Sequence, residues 1–168
     1  MLAQILVLGV FPAAMAYAAA SDLLTMTISN KLAVILIAGF YVVALALGMP
    51  ASAIVMHSIA CLAVLSVTFA MFAAGWIGGG DAKFAAAVAL WLGFEQLLDY
   101  ILIASMLGGA LTLALLAVRR YALPLVLMKQ DWVARLHAPT TGIPYGIALA
   151  GAALLVYPHG SIMRALVG

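Results

Sequence analysis

The chain has 168 residues, of which 68% are hydrophobic and 7% charged, and its mean hydropathy is +1.28. A soluble domain carries about 25% charged residues, so this composition excludes one and reads as an integral membrane protein, a single domain over residues 1–168. The formal charge of +2 is too small for a nucleic-acid binder, and no basic-aromatic pattern accompanies it.

A membrane span needs about 20 apolar residues. The first runs over 2–20 and ends at Ser21-Asp22. Its close, Ala16-Tyr17-Ala18-Ala19-Ala20, mimics a signal-peptide cleavage site, but no Lys or Arg precedes the run, so a retained span is expected. From Leu32 to Gly80 there is no charged residue. Gly48-Met49-Pro50 breaks that stretch, because Pro lacks a donor and restricts its predecessor, leaving spans over 32–48 and 52–75. A fourth is expected over 81–96 and a fifth over 98–118, with Glu95 and Asp99 marking the turn between them. Residues 119–142 form the one polar loop, and 123–136 within it are amphipathic enough for a helix at the interface. A sixth span covers 143–158. The expected fold is all-α and polytopic, with about six transmembrane helices.

Six of the seven Lys and Arg (Lys31, Lys83, Arg119, Arg120, Lys129, Arg135) fall on one side of this topology, and Arg164 on the other. Positive charge stays cytoplasmic, so both termini are expected outside. Asp22 and Asp81, distant in sequence, then share the cytoplasmic face at similar depth. They can be helix-end residues reaching headgroup water. They can also be a carboxylate dyad, in which two close carboxyls share a proton. The ionised member would activate a water, and the protonated one would polarise a carbonyl. Gly78-Gly79-Gly80 would let a substrate backbone approach. On helix dipoles alone, Asp81 at a helix start is the expected ionised member and Asp22 at a helix end the protonated one.

Gly78-Gly79-Gly80-Asp81 fits the GxGD signature of intramembrane aspartic proteases, and the longer string through Ala82-Lys83 resembles that of type IV prepilin leader peptidases. Asp22 followed by Ile28-Ser29-Asn30 resembles that family's first-aspartate segment. Pro144-Tyr145-Gly146 resembles its third element at the head of a late helix. The resemblance implies that Asp22 and Asp81 are catalytic. It also implies a bacterial inner-membrane location and a substrate that is a prepilin or pseudopilin, cut at the cytoplasmic end of its hydrophobic N-terminal helix. It is closest to the short form serving Flp/Tad-type pili. Longer members carry an extra cytoplasmic segment, often with paired zinc-binding cysteines, and methylate the new N-terminus. This chain lacks that segment and has only Cys61, so the resemblance does not extend to methyl transfer.

Around the dyad, Gly78, Gly79, Gly80, Pro144 and Gly146 are expected to shape backbone, and Tyr145 to line the substrate path. Lys83 is either a positive anchor at a helix start or a group that tunes the dyad or holds an acidic substrate residue. Asn30 is expected to cap the second helix or to hydrogen-bond near Asp22. His57, His137 and His159 have no metal-ligand spacing, so neither metal nor cofactor is expected. The expected partners are the prepilin helix and, for the basic loop, membrane lipid. Two rival functions remain at this level: a small proton- or cation-coupled transporter using the same aspartates, and a structural subunit of a secretion or pilus assembly.

Overall fold

A computed structural model describes residues 2–167, and no strand occurs among them. In chain order the helices are α1 Leu2–Thr25, α2 Asn30–Ala46, α3 Ala51–Ala73, α4 Gly79–Val118, α5 Leu125–Met128, α6 Asp131–His137, α7 Tyr145–Val156 and α8 Ser161–Val167, the last two joined by a 3-10 turn at Tyr157–His159. Val7–Thr25, Ala51–Ala73 and Gly79–Val118 are each long and apolar enough to cross a membrane, and Asn30–Ala46 and Tyr145–His159 are shorter apolar segments. The protein is thus an all-α polytopic membrane protein, as its composition predicts.

The first half of α4 is the centre of the bundle. It is apolar all round, which suits a helix surrounded by others, and every residue from Phe84 to Gly93 is buried. Straight, its 40 residues would reach about 60 Å, twice the hydrocarbon thickness. The helix instead breaks at Gly93, with φ 65° and ψ −178°, a region open to glycine. The chain reverses there. Gly80 near its start packs on Ile28, as does Gly146 of α7, while Gly108 in its second half is the seat of the Tyr145 ring. Both ends of α4 therefore meet the same end of α7. The break frees the Leu90 carbonyl from its helical donor, and His57 Nδ1–H of α3 replaces it at 2.7 Å. A buried unpartnered carbonyl would cost about 1–3 kcal/mol, so the buried His57 has a structural task.

Elsewhere the helices meet through small residues and polar ties, as membrane packing requires. Ala82, Ala85, Ala86, Ala87 and Ala89 of α4 and Ala148, Ala150, Ala152 and Ala153 of α7 are all buried. An aromatic cluster lies at the opposite end from Gly80: Phe11 stacks on Tyr157 at 4.2 Å and contacts Trp91 at 5.1 Å. Trp91 Nε1 donates to Leu36 O at 2.9 Å, and the Tyr157 hydroxyl to Val7 O at 3.1 Å. These bonds tie α1, α2, α4 and the 3-10 turn together.

Three sequence expectations shift. The turn between the fourth and fifth spans lies at Gly93, before Glu95 and Asp99, because one left-handed glycine reverses the helix without a loop. Glu95 instead forms an exposed ion pair with Arg164. α1 continues to Thr25, so Asp22 lies within the helix rather than beyond it. Residues 123–136 form two short helices, α5 and α6, rather than one.

Candidate active site

Asp22 is carried inward by the helical period of α1. Val7, Phe11, Ala14, Met15 and Ala18 are its buried stripe, spaced three and four apart, and Asp22 is the next position on that stripe. Its side chain is 4% exposed. The first turn of α7 meets it there: Gly146 N–H donates to Asp22 Oδ2 at 2.7 Å.

Asp81 enters from α4. Gly78 is the N-cap with extended backbone, φ −72° and ψ 144°, and it lies against the Asp81 carboxyl. Asp81 is half-buried. The two carboxylates are close enough for the charge of Asp22 to act on Asp81. Helices α2, α4 and α7 all begin at this end of the molecule, and the amide-rich start of α7 supplies an N–H to Asp22. Because the start of α7 donates to Asp22, both carboxylates lie at a helix N-terminus, and helix dipoles do not distinguish the ionised member from the protonated one.

The glycines are places where chain meets chain. A Cβ on Gly146 would lie 2.8 Å from Asp22 Oδ2 and 2.6 Å from Ile28 Cδ1. On Gly80 it would lie 3.3 Å from Ile28 O, on Gly79 3.2 Å from the Phe72 ring, and on Gly78 3.1 Å from Asp81 Oδ2. The structure therefore brings Asp22, Asp81, Gly78, Gly80 and Gly146 together, with Gly79 seated against α3.

The remaining expected residues sit differently. Pro144 is the N-cap of α7, without a side-chain cap bond. Tyr145 does not face the carboxylates; its ring rests on Gly108 and its hydroxyl is 3.4 Å from Thr112 Oγ1, which pins the start of α7 and so aims the Gly146 amide. Asn30 is not the cap of α2. Ser29 is, accepting from Lys31 N–H at 3.2 Å, because Asn30 already lies in the helix. The Asn30 side chain instead accepts from Lys83 Nζ at 2.9 Å.

Sequence reasoning missed several contributors. Ile28 separates Gly80 from Gly146, and Thr68 Oγ1 reaches the Ala82 carbonyl at 3.2 Å. Arg135 Nη1 caps α1 by donating to Leu24 O at 2.9 Å. Tyr100 is buried, its hydroxyl has no hydrogen-bond partner among the described residues, and the charge of Asp81 reaches it. Only the reversal at Gly93 puts Tyr100 near Asp81, and no local pattern announces that.

Comparison with curated proteins and with solved structures finds no match. The sequence model of the type IV leader peptidase family matches residues 9–113, a stretch that contains both Asp22 and Asp81 and stops short of Pro144-Tyr145-Gly146. With more than half of its length so matched, the chain belongs to the type IV leader peptidase family.

Proposed function

We propose that the protein is an aspartic endopeptidase that removes the leader of a prepilin or pseudopilin at the cytoplasmic face of the bacterial inner membrane, which it crosses several times. One observation carries this reading. In a chain of a peptidase family, α1 and α4 bring two aspartates within electrostatic reach of each other, at a spot where glycines leave the backbone bare.

Two carboxyls brought side by side at a substrate do not both ionise easily and hold one proton between them. The ionised member takes a proton from water as the water oxygen attacks the scissile carbonyl carbon. The protonated member gives its hydrogen to the carbonyl oxygen. On collapse of the tetrahedral intermediate the C–N bond breaks, the leaving nitrogen takes the proton that the first carboxyl drew from water, and the second carboxyl recovers its proton from the hydroxyl that becomes the new carbonyl oxygen. No covalent enzyme intermediate forms. Gly146 N–H, held by α7, keeps Asp22 in place for these steps.

The substrate helix is apolar and would pack among the spans until its cleavage site reaches the pair. The basic loop is suited to lipid rather than to a positively charged leader. Arg119 is committed to the carbonyls of Leu136, Thr141 and Gly142, while Tyr121, Leu125 and Val126 are exposed beside Arg120 and Lys129, a mixture that suits headgroups. The test is processing in cells that co-express a prepilin. Asp22→Ala and Asp81→Ala each abolish cleavage while the protein still inserts; near-normal cleavage by either variant contradicts the dyad.

A further inference from the structure

Lys83 is the fifth residue of α4, near the end where the helix dipole disfavours a cation, and its ammonium is bonded to the neutral side-chain oxygen of Asn30. That bond joins α4 to the first residue of α2, where the loop from α1 ends. The loop is fastened to α1 at one end. The chain leaves α1 through Met26, whose φ of 54° is left-handed and costly for a residue with a long side chain. Met26 N–H donates to Asp22 O at 2.8 Å, and Ser21 Oγ donates to Thr27 O at 2.9 Å. At the other end Ser29 caps α2. Between these anchors Ile28 fills the space between Gly80 and Gly146, touching both backbones. One of these glycines immediately precedes Asp81, and the other donates its amide to Asp22. Lys83 is three residues after Gly80, on the same face of α4, so its bond to Asn30 holds the start of α2, and with it the end of the loop, against that face.

We propose that Lys83 and Asn30 are positioning residues, a clamp that keeps Ile28 wedged between Gly80 and Gly146 and thereby sets the approach of Asp81 to Asp22. The kinetic consequence rests on the endopeptidase reading; the clamp itself does not. A hydrogen bond between exposed side chains adds little to global stability, so the effect is read at the site.

Two measurements test it. A Cβ on Gly80 would lie 3.5 Å from Ile28 Cβ, within disulfide range. In a Cys61→Ala background, Ile28→Cys with Gly80→Cys cross-links on mild oxidation. Adding Lys83→Met or Asn30→Leu slows cross-linking about fivefold, the change in population one hydrogen bond supports. Asn30→Asp, which keeps an oxygen for Lys83, does not slow it. Failure of the parent pair to cross-link, or a rate indifferent to Lys83→Met, overturns the clamp. In the second measurement, on a synthetic prepilin segment, Lys83→Met lowers kcat about tenfold, less than a full 1 Å misplacement costs. KM does not change, and Lys83→Met causes no further loss when Asn30→Leu is already present. A raised KM with unchanged kcat overturns the positioning role and puts Lys83 on the substrate. A wild-type chain that cuts nothing overturns the endopeptidase reading and leaves the clamp to be decided by the cross-link.

Discussion

At the scale of single residues, the closest fit in the site is at Gly146. Its amide holds Asp22, and its missing side chain leaves room for both the Asp22 carboxyl and Ile28. Gly146→Ala places a methyl 2.6 Å from Ile28 Cδ1 and 2.8 Å from Asp22 Oδ2, so α7 must move away. We predict destabilisation of about 1–3 kcal/mol, the usual cost of overpacking, read as a lower Tm in detergent. Cleavage falls by about two orders of magnitude, as displacement of a reacting group by about 1 Å does. Asp22→Asn separates the two effects. Its amide oxygen still accepts from Gly146 N–H, so Tm changes little while cleavage is lost. That Asp22 and Asp81 meet at one end of the molecule was legible in the sequence, because a carboxylate beside an apolar run is costly and the expected topology put both on one face. The partners of Asn30 and Lys83 were not legible. A side chain at a helix start reads locally as a cap or an anchor, and only the packing of α2 on α4 joins these two.

At the scale of elements, α4 is legible in composition but not in shape. Its apolar length predicted two spans, and the structure has two halves, yet the charges misplaced the turn. Glu95 and Asp99 report where water is, whereas reversal requires a residue that tolerates positive φ. Gly93 is that residue, and the ring of His57 occupies the place of its side chain, 2.9 Å from where a Cβ would be. Gly93→Ala is predicted to destabilise the fold by about 1–3 kcal/mol from backbone strain alone, with further cost from the His57 ring. His57→Leu leaves Leu90 O without its donor and costs about 1–3 kcal/mol. Because the two sites touch, thermal unfolding of the double variant should show a coupled rather than additive loss.

At the scale of the whole molecule, the site is assembled by three helices far apart in sequence: α1 supplies Asp22, α4 supplies Asp81, and α7 orients the first. Their apolar lengths were readable because a bilayer imposes them. Their mutual packing was not, since alanine-rich surfaces such as those of α4 and α7 carry little pattern to say which face meets which. Not every tie between distant segments matters. The Glu95–Arg164 pair has side chains 57% and 60% exposed, and such pairs are worth about 0–1 kcal/mol. Arg164→Ala should leave both Tm and cleavage within error of the wild type.

The central claim is that these three helices build a hydrolytic centre rather than an ion path or a scaffold. Purified protein in detergent, with no membrane gradient and no other subunit, is incubated with a synthetic prepilin N-terminal segment, and the products are identified by mass. The account predicts a single cut at the polar end of the hydrophobic stretch, absent with Asp22→Asn and with Asp81→Asn. An intact segment from the folded wild-type protein, or a cut that survives either substitution, would contradict it.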